Sequence, residues 1–175
     1  MSEHRARFEQ QILPHMDAAY NLARWLTRND QDARDVTQEA ALRAYRFLDG
    51  LRGEPKPWFL TLVRNAAMTW LKANRPGELV GADNAEDVLA DPDTPETLAF
   101  RALDRRMLNE ALAALPAHFR EALILRELED LSYKDIARIT GVPIGTVMSR
   151  LARARRLLAD SLRAIKRASG PKVHE

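Results

Sequence analysis

LSYKDIARITGVPIGTVMSRLARARR, residues 131–156, is the stretch whose reading decides the fold, and it reads as two short helices around a tight corner. Ser132 suits an N-cap and Asp135 stands three residues on, as in a capping box, so a helix is predicted to begin at Tyr133. Gly141 ends it, because glycine readily takes the left-handed conformation that closes a helix. Pro143 cannot continue the old helix but suits the start of a new one. Ile136, Ala137, Val142, Val147 and Leu151 are apolar where two steeply crossing helices must touch, which is a helix-turn-helix pattern. Beyond the corner, the inward stripe Val147, Leu151, Ala154, Leu158 leaves Thr146, Ser149, Arg150 and Arg153 on the opposite face. That face suits a DNA groove; a helical hairpin with a solvated basic side is the plainer alternative.

The chain of 175 residues has room for one domain or two small ones, and 46% hydrophobic residues suffice for a core in either case. Its formal charge of +2 hides an uneven distribution. Residues 76–100 carry seven acids and no base, whereas residues 138–172 carry nine bases and one acid, Asp160. The C-terminal part therefore has the charge of a phosphate-binding surface. The absence of cysteine excludes disulfides and thiolate metal sites, and the four histidines are scattered. No apolar run approaches a membrane span and the N-terminus lacks the apolar core of a signal peptide, so a cytoplasmic protein is expected.

Between sparse glycines and prolines, apolar residues recur at three and four positions, which predicts an all-α protein. The first helical stretch covers residues 5–27, divided near Pro14, with Phe8, Ile12, Met16, Ala19, Ala23 and Leu26 on one side. Asp30 is the expected cap of a second helix reaching Leu48, with Ala33, Val36, Ala40, Ala44 and Phe47 in its core stripe. Its other face, Asp35, Gln38, Glu39, Leu42 and Arg46, sets an exposed leucine among polar groups. Such a face fits a protein partner or is merely solvated. After the turn-rich loop 48–57, Pro57 is expected to open a helix to Asn74 with Trp58, Leu62, Ala66, Trp70 and Leu71 inward. Outward lie Thr61, Arg64, Asn65, Met68 and Lys72, flanked by Lys56 and Arg75, a mixture suited to unpaired nucleic acid.

Residues 76–96 break the periodicity and are expected to be an acidic linker between a domain at 1–75 and one at 97–175. A helix from Pro95 with Leu98, Ala102, Leu103, Met107, Leu108, Ala111 and Leu115, and another from Pro116 with Phe119, Leu123, Ile124 and Leu128 inward, would precede the opening motif. No phosphate loop, nucleophile elbow or metal-spaced ligand set is present, which argues against an enzyme and gives no catalytic, cofactor or metal residues to name.

The segment LPAHFREALILRELEDLSYKDIARITGVPIGTVMSRLARARRLL closely resembles region 4 of the extracytoplasmic-function sigma factors of bacterial RNA polymerase, and DARDVTQEAALRAYRFLDGLRGEPKPWFLTLVRNAAMTWLKANR resembles their region 2. The resemblance implies a transcription initiation factor that binds core polymerase and directs it to promoters. Asp35, Gln38, Glu39, Leu42 and Arg43 would dock on the polymerase clamp helices. The loop 48–57 with Lys56, Thr61, Arg64, Asn65, Met68 and Lys72 would capture the melted minus-10 element, one base being flipped out. Ser132, Tyr133, Gly145, Thr146, Ser149, Arg150 and Arg153 would face the duplex minus-35 element, and the linker would thread through the polymerase. The family often has Lys or Arg where Met148 stands and a bulky residue where Ala41 stands, so a contact is expected to be lost at each. No extra C-terminal domain follows, so control by a separate anti-sigma factor is expected. A stand-alone helix-turn-helix regulator and a sigma-like decoy that sequesters an anti-sigma factor are the competing readings; neither needs Arg64 and Asn65.

Overall fold

The computed structural model describes residues 2–79 and 105–170, and all regular structure within them is helical. Helix α1 (Glu3–Gln11) is capped by Ser2, and a short 3-10 turn at Leu13–His15 separates it from α2 (Met16–Thr27). Pro14 lies in that turn, as the expected break requires. Helix α3 (Asp30–Arg46) is capped by Asn29, not by Asp30: the Asp32 amide donates to Asn29 Oδ1 at 3.0 Å. Asp30 instead accepts from Arg24 Nε and, at 3.2 Å, from the Tyr20 hydroxyl. The Arg24 hydrogen bond and charge hold its carboxyl below the usual carboxylate range.

Helix α4 (Pro55–Asn74) begins two residues before the expected Pro57, with Glu54 as N-cap and Pro55 in the first turn. Its buried residues are Pro57, Phe59, Leu60, Val63, Ala66, Ala67 and Leu71. Trp58, Leu62 and Trp70, expected inward, are only half-buried. The helix is gripped by α2 on one side and α3 on another, so its buried arc is wider than one stripe and the large rings sit at its borders. Phe47, expected in the core of α3, is 56% exposed because it is the C-cap residue, where the helical stripe has already ended.

In the C-terminal half, α5 (Arg105–Ala113) and α6 (Ala117–Leu123) lead into a π turn at Ile124–Leu128. The wider turn rotates later side chains out of register, so Leu128, expected inward, is 50% exposed. Helix α7 (Tyr133–Thr140) starts as predicted, the Asp135 amide donating to Ser132 Oγ at 3.1 Å, and Gly141 closes it at φ 73°. Pro143 is the N-cap of α8 (Ile144–Ser169), whose stripe Val147, Leu151, Ala154 and Leu158 is buried as read.

The expected linker is folded at its start. Pro76–Leu79 form a 3-10 turn against α4 and α6; the remainder of 76–96, and residues 97–104, lie outside the described residues. The two halves pack together, α4 against α7 and α2 against α6 and the π turn. Arg120 of α6, fully buried, pins this seam. It donates to the carbonyls of Trp25 (2.7 Å), Leu26 (3.2 Å) and Leu115 (2.7 Å), and to Glu78 Oε2 (3.3 Å). Arg75 Nη1 donates to Thr27 O at 2.9 Å, so the last carbonyls of α2, which have no partners within the helix, are met by two arginines.

Arg120→Met is expected to destabilise the chain by about 3 kcal/mol in chemical denaturation, since it strands buried carbonyls and the Glu78 carboxylate together. Gly141→Ala, forced to hold a positive φ, is expected to lower stability by about 1 kcal/mol in the same assay.

Candidate functional site

Three surfaces carry the residues singled out in the sequence. The first is the outer face of α3. Asp35, Gln38, Glu39, Leu42 and Arg43 are all exposed, opposite the buried Ala33, Val36, Thr37, Ala40 and Ala44. Arg43 Nη2 reaches Glu39 Oε1 at 3.0 Å and Gln31 reaches Asp35 at 3.0 Å, so the polar groups are ordered along the helix by neighbours one turn away. Leu42, 64% exposed, has no cover, and Tyr45 and Phe47 join it at the C-terminal end of the helix. Tyr45 is held edge-on by His4 and Phe8 of α1, and His4 Nε2 donates to its carbonyl at 2.6 Å. Neither Tyr45 nor Phe47 was singled out in the sequence for this surface; both were visible there as aromatic residues near the end of an otherwise charged face.

The second surface is the polar side of α4, and much of it is occupied by the chain itself. Arg64 Nε donates to Glu121 Oε1 of α6 at 2.7 Å. Lys56 Nζ donates to the Glu129 carbonyl at 3.2 Å and pairs with its carboxylate at 3.1 Å. The Thr61 hydroxyl turns back onto Pro57 O at 2.8 Å, and Met68 is half-buried. Asn65 and Lys72 remain exposed. Of the adjoining loop, Gly53 lies under Arg138 of α7: a β-carbon there would meet Arg138 Nη1 at 3.1 Å. The acids that complete these pairs, Glu121 and Glu129, were not identified in the sequence. Their signal was a charged dyad, Arg120 and Glu121, inside the apolar run from Phe119 to Leu125.

The third surface is the helix-turn-helix, where the expected open face of α8 needs correction. Ser149 and Arg150 are 8% and 6% exposed, and Arg153 lies with its guanidinium 5.3 Å above the Phe119 ring. Helix α8 packs against α5, α6 and α7, so a single inward stripe underestimates what is covered. Ser132 is engaged as a cap, and Tyr133 lies beneath the Arg126 guanidinium at 4.4 Å. The accessible end of the motif is the first turn of α8, where Ile144 and Gly145 are exposed and Thr146 and Met148 half-exposed, with Lys134 and Arg138 exposed on α7. Helix N-termini favour phosphate oxygens.

A groove of about 780 Å³ also opens along the seam, lined by Trp25, Leu108, Leu112 and Leu128 together with Arg24, Arg28 and Arg105. Among the described residues, no group of three or more His, Asp or Glu side chains could hold a metal ion, and no helix is long and apolar enough to cross a membrane.

Residues 12–76 match the family described as Sigma-70 region 2, and residues 105–158 match Sigma-70, region 4. The chain is 36% identical over 154 residues to the ECF RNA polymerase sigma-E factor of Haemophilus influenzae, an alignment covering 82% of this chain and 80% of that one. It is 34% identical over 170 residues to the RNA polymerase sigma-H factor of Pseudomonas aeruginosa, covering 91% and 88%. In fold it is similar to the sigma factor RpoE of Bartonella quintana, solved in complex with the anti-sigma factor NepR, with a TM-score of 0.69, 28% identity, and coverage of 89% of this chain and 96% of that one. The chain therefore belongs to the extracytoplasmic-function sigma factors of the sigma-70 family, which bind core RNA polymerase and direct it to promoters for transcription initiation.

Proposed function

We propose that this sigma factor divides its work among the three surfaces, and the observation that carries the reading is the fully exposed face of α3, where Leu42 stands uncovered among Asp35, Gln38, Glu39 and Arg43. That face docks on the clamp of core polymerase, with Tyr45 and Phe47 extending its apolar part. An apolar anchor ringed by polar groups is the usual make-up of a protein contact, the anchor supplying most of the energy. The domains are those of the two matched regions, 1–75 and 97–175, joined by an acidic segment.

The polar side of α4 captures the melted minus-10 strand. Arg64, Lys56 and Lys72 supply cations for phosphates, and Asn65, Thr61 and Met68 supply hydrogen bonds and contact for bases. The first turn of α8, through Gly145 and Thr146, meets the minus-35 duplex, with Ser132 and Tyr133 placing the preceding helix. Ser149, Arg150 and Arg153 hold that turn in position from within the domain. Met148 leaves the groove with one cation fewer than the family often presents.

Control belongs to a separate anti-sigma factor in the bacterial cytoplasm. The similar Bartonella protein was solved with one bound, and the groove beside Trp25 and Leu128, bordered by three arginines, suits an amphipathic helix with acidic residues. A free-standing helix-turn-helix regulator would need neither the α3 face nor Arg64 and Asn65. The protein itself supplies no catalytic group; polymerase performs the chemistry.

Run-off transcription with purified core polymerase on a pool of genomic promoters is expected to give discrete transcripts only when the protein is added; no core-dependent initiation on any template, with core binding verified, would end this reading. Leu42→Asp is expected to weaken core binding by about tenfold or more, measured by fluorescence anisotropy, with the helical content unchanged. Asn65→Ala is expected to slow initiation on duplex promoters by about tenfold at unaltered core affinity, and a template already melted across the minus-10 region is expected to remain impaired, because the lost contact is to the strand itself.

A further inference from the structure

The seam between the halves joins cations of the strand-capturing helix to acids of the C-terminal half. Arg64 on α4 meets Glu121 on α6 at 2.7 Å, with side-chain exposures of 16% and 0%. Lys56 on α4 meets Glu129, between the π turn and α7, at 3.1 Å, with exposures of 31% and 9%. Arg138 closes over Gly53 in the loop ahead of α4. Such pairs differ from the exposed one-turn pairs Arg5–Glu9 and Arg43–Glu39, which solvent screens.

We propose that the C-terminal half is a built-in competitor for the melted promoter strand, with the Glu121 carboxylate occupying on Arg64 the place that a DNA phosphate would take. The proposal rests on the strand-capturing role given to α4 above. Carboxylate and phosphate oxygens present the same acceptor to a guanidinium, so one arginine cannot serve both. Glu121 is also incompletely served where it stands. Its second oxygen, Oε2, is buried without a hydrogen-bond partner, and the nearest cationic candidate, His118 Nδ1, lies 3.8 Å away and is itself buried without one.

That incompleteness is what makes the contact releasable. A buried ion pair offsets its desolvation cost only when its remaining lone pairs are satisfied, so this pair specifies the packed arrangement without binding it tightly. Arg120 and its carbonyl partners register the halves; the Arg64–Glu121 pair sets what the register covers. A ligand that binds only the opened form, such as single-stranded DNA presented by polymerase, then shifts the population by its differential affinity. Free sigma factor thereby avoids single-stranded nucleic acid that is not held in a polymerase.

The test is fluorescence anisotropy of the full chain, without polymerase, titrated into a labelled mixed-sequence single-stranded oligonucleotide at fixed salt. Glu121→Gln, which keeps the shape and removes the charge, is expected to tighten binding by about tenfold, and adding Arg64→Ala is expected to abolish the gain. Asp160→Asn supplies the control, because Asp160 is an exposed acid on α8 and its loss changes net charge equally. Equal tightening by Asp160→Asn would reduce the effect to general electrostatics and overturn the proposal. Unchanged binding for Glu121→Gln, while Arg64→Ala alone weakens binding, would overturn the competitor and leave α4 as the strand-binding helix. No effect of Arg64→Ala in either background would remove the role of α4 itself. If circular dichroism shows Glu121→Gln unfolded, Glu129→Gln decides by the same criterion, a smaller tightening supporting the proposal and none overturning it.

Discussion

Arg120 is the side chain on which the relation of the two halves depends. It is a cation taken wholly out of solvent, and burial pushes the guanidinium below its ordinary value while Glu78 opposes the shift. A buried charge is tolerable only if its donors are used, and here they reach three carbonyls and one carboxylate. Two of those carbonyls end α2, so the N-terminal helix is completed by a residue of the C-terminal half. Glu78, just past α4, pairs with Arg28 as well as Arg120, which ties α2, the end of α4 and α6 into one electrostatic knot.

Once that knot sets the register, α4 has to serve two purposes. Its apolar arc completes the core with α2 and α3, and its polar side becomes the seam with α6 and α7. The residues proposed to read a melted strand are thus the ones that the C-terminal half covers. Helix α3 has no such second neighbour on its outer side, so its polymerase-facing residues stay open in the same structure. The arrangement lets a sigma factor meet polymerase first and promoter strand second.

Much of the architecture could be read from local chemistry. Ser132 and Gly141 mark both ends of α7, Pro14 breaks the first helical stretch, and the α3 face separates cleanly into buried alanines and exposed polar groups. Each of those signals acts over a few residues, which is the range that sequence patterns record. The readings that failed are those that depend on how many neighbours a helix has. Arg150 and Ser149 are buried because α8 is held by three other helices, and Trp58 and Trp70 lie at the border of an arc wider than one stripe. Phe47 and Leu128 fail for a different reason: one is past the end of its helix and the other past a π turn, so a period of about 3.6 no longer applies. Glu121 pairs with a residue 57 positions away, a distance over which no local pattern carries information, although a charged dyad in an apolar run was itself a sign of buried pairing.

The central claim is that one chain holds two exchangeable arrangements, with α4 covered when alone and uncovered on polymerase. The chain has no cysteine, so a pair of dyes can be placed on cysteines introduced at exposed Thr69 and Arg163, one in each half. Single-molecule energy transfer between them is the direct measurement. The account predicts one short-distance population for the free protein, replaced by a long-distance population when core polymerase is added. A free protein already spread over long distances, or a short distance unchanged on saturating polymerase, would contradict it.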